Sequence, residues 1–246
     1  MPGGRAQPGI DDPSFVRSEY ADESRLVERN HVCNAFSDGI DTEDVVLSVV
    51  GESGARRVLE IGCGTGAFAA RLRSSLDVDV TAIDISPRMV ELALRQGVKA
   101  HVADAQALPF AMESFDCVVA NWMLYHVESI PQCLRECARV LTKQGRLVTA
   151  SFGRSHLREV WALPGAPALW PNKFHEGAAL PFLRAHFAET RLHELKAVVR
   201  FPTVASVRSC IDAWVTSDST ASVAVPAEPY HARCHHFVAI ADGPLK

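Results

Sequence analysis

Residues 58–66, VLEIGCGTG, decide how this chain is read. The apolar run Val58–Ile61 passes directly into Gly62, Gly64 and Gly66, and then into AFAARL, whose apolar spacing is helical. Glycine at those points lets the backbone turn tightly and approach a ligand, because no Cβ stands in the way. Strand, glycine loop and helix together open an α/β sheet.

Outward from that unit the same alternation continues. Apolar runs RVLEI, VDVTAI, VKAHV, FDCVVA and RLVTASF are separated by longer segments of helical periodicity, as in a parallel sheet covered by helices. Ser129 and Pro131 open the helical segment IPQCLRECARVL, serine as cap and proline in the first turn. Residues 1–15 are rich in glycine and proline and read as a disordered arm, with residues 16–246 as a single domain. Within it, 16–50 read as helices forming a lid and 57–152 as the ligand-binding core. Residues 153–190 and 202–232 read as cap elements, with LKAVVRF and CHHFVAIA as the last strands.

Composition narrows the partners. Hydrophobic residues make up 48% of the 246, and the net charge is −4, which suits neither a disordered chain nor an electrostatic track for nucleic acid. No apolar run approaches the ~20 residues that span a bilayer, and the first residues lack a secretory core, so a cytoplasmic protein without a membrane span is expected. Seven cysteines without any CxxC spacing argue against a disulfide framework. Cys133 and Cys137 fall on one apolar helix face and read as core. Cys234, His235 and His236 read as adjacent strand positions, and no metal site is expected.

Three acids sit at the ends of three successive strands: Glu60 in VLEIG, Asp84 in TAIDIS and Asp104 in HVADAQ. Right-handed crossovers place such strands side by side, so all three acids line one crevice beyond the carboxyl edge. S-adenosylmethionine presents ribose hydroxyls, an amino group, an ammonium and a sulfonium, all suited to acceptor oxygens and negative charge. An NAD(P)-binding oxidoreductase is the rival, since Gly62, Gly64 and Ala67 also satisfy G-x-G-x-x-A. Glu60, two residues before the loop, is a poor neighbour for a pyrophosphate. A catalytically silent cofactor-binding protein is the other alternative.

The series E-I-G-C-G-T-G, D-I-S-P-R-M, A-D-A-Q-A-L-P-F, S-F-D-C-V-V-A and R-V-L-T-K-Q-G-R-L resembles the class I S-adenosylmethionine-dependent methyltransferases, closest to the ubiquinone/menaquinone-type, small-molecule branch. The resemblance covers residues 57–152 closely. It implies a Rossmann-like, mostly parallel seven-stranded α/β sheet flanked by helices, with a helical lid before it and a helical cap inserted after the fifth strand. It also implies that the backbone of Gly62, Cys63 and Gly64, with Gly66 closing the loop, passes the methionyl end of the cofactor. Asp84 then takes the ribose hydroxyls, Ile85 packs on adenine, Asp104 takes the adenine amino group, and the Ala105 N–H meets a ring nitrogen. Asn121 offers its carbonyl to the ammonium. Tyr20 and Arg25 resemble the segment that closes over the cofactor.

On the acceptor side, NWMLYHV leaves the same sheet edge, making His126 the candidate base and Trp122 and Tyr125 candidate walls. His156 and His175 are weaker candidates in the cap, and Trp161, Trp170 and Trp214 can line an apolar pocket or fill a core. NWML in place of an Asn/Asp-Pro-Pro-aromatic motif argues against acceptors that are amino groups of nucleic-acid bases. What is expected is a small, partly apolar metabolite, natural-product or quinone-like, with an O, N or C acceptor.

Overall fold

The computed structural model describes residues 10–24, 26–27, 29, 41–166, 172–214, 223–226 and 228–245. Arg25 and Trp170 lie outside the described residues. Its centre is a seven-stranded sheet in the order β3-β2-β1-β4-β5-β7-β6. The strands are β1 (Arg57–Ile61), β2 (Asp79–Asp84), β3 (Lys99–Val102), β4 (Phe115–Asn121), β5 (Leu141–Phe152), β6 (Phe187–Phe201) and β7 (Tyr230–Pro244). Strands β1 to β5 are parallel, while β7 runs antiparallel to both β5 and β6.

Helices α1 (Pro13–Glu19) and α2 (Thr42–Glu52) precede the sheet. Within it come α3 (Ala67–Ser75), α4 (Pro87–Arg95) and α5 (Ile130–Val140), and the cap contributes α6 (Arg158–Trp161), α7 (Glu176–Arg184) and α8 (Val204–Trp214). The caps follow the local sequence: the Ser129 side chain accepts from the Gln132 N–H at the start of α5, and Ser86 does the same for Met89 at α4. Apolar β1 and β4 are buried on both faces, so one core cluster on each side of the sheet includes their alternating side chains, Leu59 and Val118 on one side, Val58 and Val119 on the other. Cys133 and Cys137 are fully buried in the first of these cores.

The structure differs from the sequence reading at the two flanks. Residues 10–15 are not part of a loose arm, because Asp12 caps α1 through the Ser14 and Phe15 N–H groups and Asp11 pairs with Lys173. At the other end β6 and β7 are 15 residues each, longer than their apolar runs, and α7 stops at Arg184. Strand β6 is the sheet edge, and Glu189, Arg191, Glu194, Lys196 and Arg200 along it explain why no apolar pattern marks its full length. Charges there protect an open edge from pairing with another chain. No described helix is long and apolar enough to cross a membrane.

Candidate active site

The chain winds from β1 outward to β3 and then returns to β4 on the other side of β1, so the order of strands reverses between β1 and β4. A crevice opens there beyond the carboxyl ends of the strands. It is a cavity of about 600 Å³ lined at one end by Glu60, Asp84, Asp104 and Asn121 and at the other by Trp122, Tyr125, Phe152, Trp214 and His236.

The glycine loop forms the floor of the first end. Gly62, Gly64 and Gly66 all have positive φ. A Cβ on Gly62 would stand 2.7 Å from Met123 Cβ, and one on Gly66 would stand 2.6 Å from Ala93 Cβ. The loop therefore needs glycine for its backbone angles and for its close packing. Asp84 holds it from the side, accepting the Gly64 N–H through Oδ2 and the Ser86 N–H through Oδ1, both at 2.9 Å. Burial pushes the Asp84 carboxyl upward even so. Asp104 accepts the Gln106 N–H at 2.8 Å, and Ile85 and Ala105 complete this wall.

Two residues stand out by what they do not bond. Glu60 is 3% exposed, its Oε2 has no partner, and burial reinforced by Glu43 and Asp84 raises its carboxyl well above the usual range. Both side-chain polar atoms of Asn121 are also buried and unpartnered. Orphaned polar atoms of this kind are rare in native interiors and mark a place for a polar ligand. Cys63, in the loop, has its thiol pushed upward by burial and by the Glu60 and Asp84 charges, so it contributes packing and backbone rather than a nucleophile.

The roof comes from the N-terminal segment. Leu26 covers the glycine loop, close enough that a Cβ on Gly64 would fall 2.9 Å from its Cδ2. Tyr20 also lines the cavity, and a cation joins it: Arg29, which the sequence reading missed, four residues after Arg25. Its Nη1 donates to Tyr20 Oη at 3.0 Å, its Nε donates to the Ala213 carbonyl at 2.7 Å, and its Nη2 pairs with Glu19. The guanidinium stands 5.6 Å from the Tyr20 ring and 5.9 Å from the Trp214 ring.

His126 is fixed by this roof. Its Nδ1 lies 3.1 Å from the Ile10 carbonyl, which can only accept, so Nδ1 carries the proton. Nε2 is then an acceptor, and it receives the Tyr20 hydroxyl at 2.9 Å. Arg29 to Tyr20 to His126 to Ile10 is thus one chain of donors with no lone pair of the imidazole left over. Burial lowers the His126 pKa to about 4, with the nearby Arg29 charge acting in the same direction. In this closed arrangement both ring nitrogens of His126 are engaged by the roof.

The second end is built from rings. Trp122 lies 4.6 Å from Phe152 and 4.7 Å from His236, and Phe152 lies 4.7 Å from Trp214, centroid to centroid. Trp214 lines the cavity, whereas Trp161 packs in the cap cluster with Leu157 and Val160. His156 is buried behind the lining, and His175 is a helix cap, accepting the Gly177 N–H at the start of α7. His236, read from sequence only as a strand position, lines the pocket.

Residues 59–149 match the family model described as a methyltransferase domain. The chain is 41% identical over 104 residues to the 27-O-demethylrifamycin SV methyltransferase of Amycolatopsis mediterranei, covering 39% of this chain and 38% of that protein. It is 30% identical over 148 residues to the demethylmenaquinone methyltransferase of Tropheryma whipplei, covering 58% of this chain and 60% of that one. The matched span is thus less than two thirds of these relatives' own lengths. A solved SAM-dependent methyltransferase of Thermotoga maritima, described as a possible histamine N-methyltransferase, superposes over 92% of this chain and 99% of its own with a TM-score of 0.60 at 21% identity.

Proposed function

We propose, from a fold that is that of the Rossmann-like methyltransferases, that this chain moves a methyl group from S-adenosylmethionine to an O, N or C atom of a small, partly apolar metabolite. The observation that carries the reading is the pair of orphaned groups, Glu60 Oε2 and the Asn121 amide, beside Asp84 at the reversal of strand order. An ammonium supplies the donors that these acceptors lack, and a ribose diol suits Asp84. A pyrophosphate in the same place meets buried carboxylates, which disfavours a dinucleotide. The rifamycin and menaquinone relatives support an acceptor of the natural-product or quinone kind.

Bound there, the donor supplies a methyl group on a sulfonium, ready for in-line displacement. The chain's own contribution is alignment and exclusion of water. Tyr20, Leu26 and Arg29 close the roof, and Trp122, Tyr125, Phe152 and Trp214 give the acceptor an apolar seat. Because the imidazole of His126 is fully engaged, proximity carries more of the rate than proton abstraction by that residue.

The test is ligand-induced stabilisation followed by turnover. S-adenosylhomocysteine raises the melting temperature by mass action and NAD does not. Label from methyl-labelled donor then passes to a metabolite pool. A shift with NAD and none with the adenosyl ligand overturns the reading.

A further inference from the structure

We propose that His156, Cys234 and His236 form a binding site for a zinc ion in the wall of the acceptor pocket. One ligating atom from each lies within 4.8 Å of the others, the one such group among the described residues. The sequence hides this trio because His156 lies about 80 residues before the other two.

The fold brings them together in two steps. Cys234 and His236 are two apart on β7, so their side chains share one face of the sheet. The segment after β5 is then pinned across β7 by the Gly153 N–H to the His235 carbonyl at 2.8 Å and the Leu157 N–H to the Arg233 carbonyl at 2.7 Å. His156 sits between those two bonds and stands over the same face, its ring 4.8 Å from that of His236.

The Cys234–His236 pair has the spacing of a tetrahedral centre. Zinc–sulfur and zinc–nitrogen bonds of about 2.3 and 2.0–2.1 Å at tetrahedral angles separate the two ligand atoms by about 3.5 Å. Cys234 Sγ and His236 Nε2 are 3.5 Å apart. His236 Nδ1 is already engaged by the Thr42 hydroxyl at 2.9 Å, which is the kind of outer partner that fixes a ligating imidazole with its other nitrogen turned to the metal. His156 Nε2 is buried and has no hydrogen-bond partner. Thiolate with two imidazoles is a soft to borderline set that favours zinc over magnesium or calcium.

Loading has a definite proton balance. Without metal, the backbone N–H of His235 donates to His156 Nδ1 at 3.2 Å, so the ring's own proton sits on Nε2. Binding moves that proton to Nδ1 at the expense of the His235 bond, and it releases the Cys234 thiol proton to solvent. Of the three ligands, His236 also lines the cavity, together with Phe152 and Trp214. The metal site does not depend on the methyltransferase reading.

The experiment is titration of chelator-treated protein with Co2+, followed by displacement with Zn2+. The expected result is one equivalent bound, with the cysteinate-to-cobalt charge-transfer absorption, reversed by zinc. Cys234→Ala abolishes the charge-transfer band, His156→Gln removes stoichiometric binding, and Thr42→Val weakens zinc by roughly 10–100-fold as loss of an outer partner does. Circular dichroism checks that each variant is folded, and Thr42→Val serves if a ligand variant is not. Uptake well below one equivalent in wild type overturns the proposal, as does a band unchanged in folded Cys234→Ala or affinity unchanged in Thr42→Val. None of these readouts involves methyl transfer, so failure of the metal site and failure of the methyltransferase reading are separately visible.

Discussion

The two ends of the cavity treat their polar groups in opposite ways. At the sheet end, Glu60 and Asn121 hold buried polar atoms with no partner inside the protein. At the roof, Arg29, Tyr20, His126 and the Ile10 carbonyl satisfy one another in a closed chain of hydrogen bonds. An unsatisfied buried group costs stability until something binds it, whereas a satisfied chain holds an element in place. The sheet end is therefore shaped to receive a ligand and the roof to stay shut over it.

The comparison breaks most easily at Asp84. Its carboxylate faces the cavity and also holds the glycine loop through Gly64. Charged hydrogen bonds are worth roughly 1.5–3 kcal/mol each, so Asp84→Ala, losing two to the ribose, weakens S-adenosylhomocysteine by roughly 10²–10⁴-fold. Calorimetric titration of folded mutant checks this. Unchanged affinity means that the ribose is held elsewhere.

Glu60 sharpens it, because the same substitution moves affinity and stability in opposite directions. Burial raises its folded pKa above the ordinary 4.5, so the folded chain keeps a proton that the unfolded chain gives up. Its contribution is fully favourable below about pH 4.5 and is lost as pH rises through the folded value. Glu60→Gln removes that loss. The ligand-free mutant melts above wild type at pH 8, and the gap closes toward pH 4. Its affinity for the adenosyl ligand falls by roughly 10–100-fold, the worth of one charged hydrogen bond. A mutant less stable than wild type at pH 8 shows instead that Glu60 is a structural acceptor.

What could be read in the sequence follows the same division. Parallel strands β1, β2 and β4 are mostly buried runs ending at the cavity, so apolar residues mark their bodies and Glu60, Asp84 and Asn121 mark their ends. Asp84 and Gly64 are 20 residues apart but belong to one strand–loop–helix–strand unit, so the sequence already places both at one crevice. Arg29 was not legible, since its partners Tyr20, Glu19 and Ala213 meet it only after the N-terminal segment folds across α8. The same holds for His236, whose strand β7 is apolar around it but whose neighbours Trp122, Phe152 and His156 come from two other places in the chain, after β4 and around the end of β5. The full length of β6 was hidden by its own edge charges.

The smallest effect expected on turnover is at His126, where latch and base predict different things. A general base contributes roughly 10²–10⁴-fold, so His126→Asn then slows methyl transfer by that much, and the deficit shrinks as pH rises for an acceptor that ionises unaided. The observed bonds favour the latch: Nδ1–H is given to Ile10 and Nε2 is filled by Tyr20, while Arg29 stands close enough to disfavour an imidazolium. The latch predicts a rate within a few fold of wild type once the methyl donor is saturating. It also predicts a pH signature. The His126 pKa falls from 6.5 in the unfolded chain to about 4 in the fold, so its stabilisation is complete above pH 6.5 and is lost progressively as pH falls toward 4. Each pH unit crossed in that window is worth up to about 1.4 kcal/mol. Hydrogen exchange across residues 10–20 should accelerate on going from pH 7 to pH 5 beyond the intrinsic chemical change in wild type. In His126→Asn it should be fast already at pH 7 and should not respond further. Slow, pH-independent exchange in both proteins, with a hundredfold loss of rate in the mutant, would return His126 to the role of base.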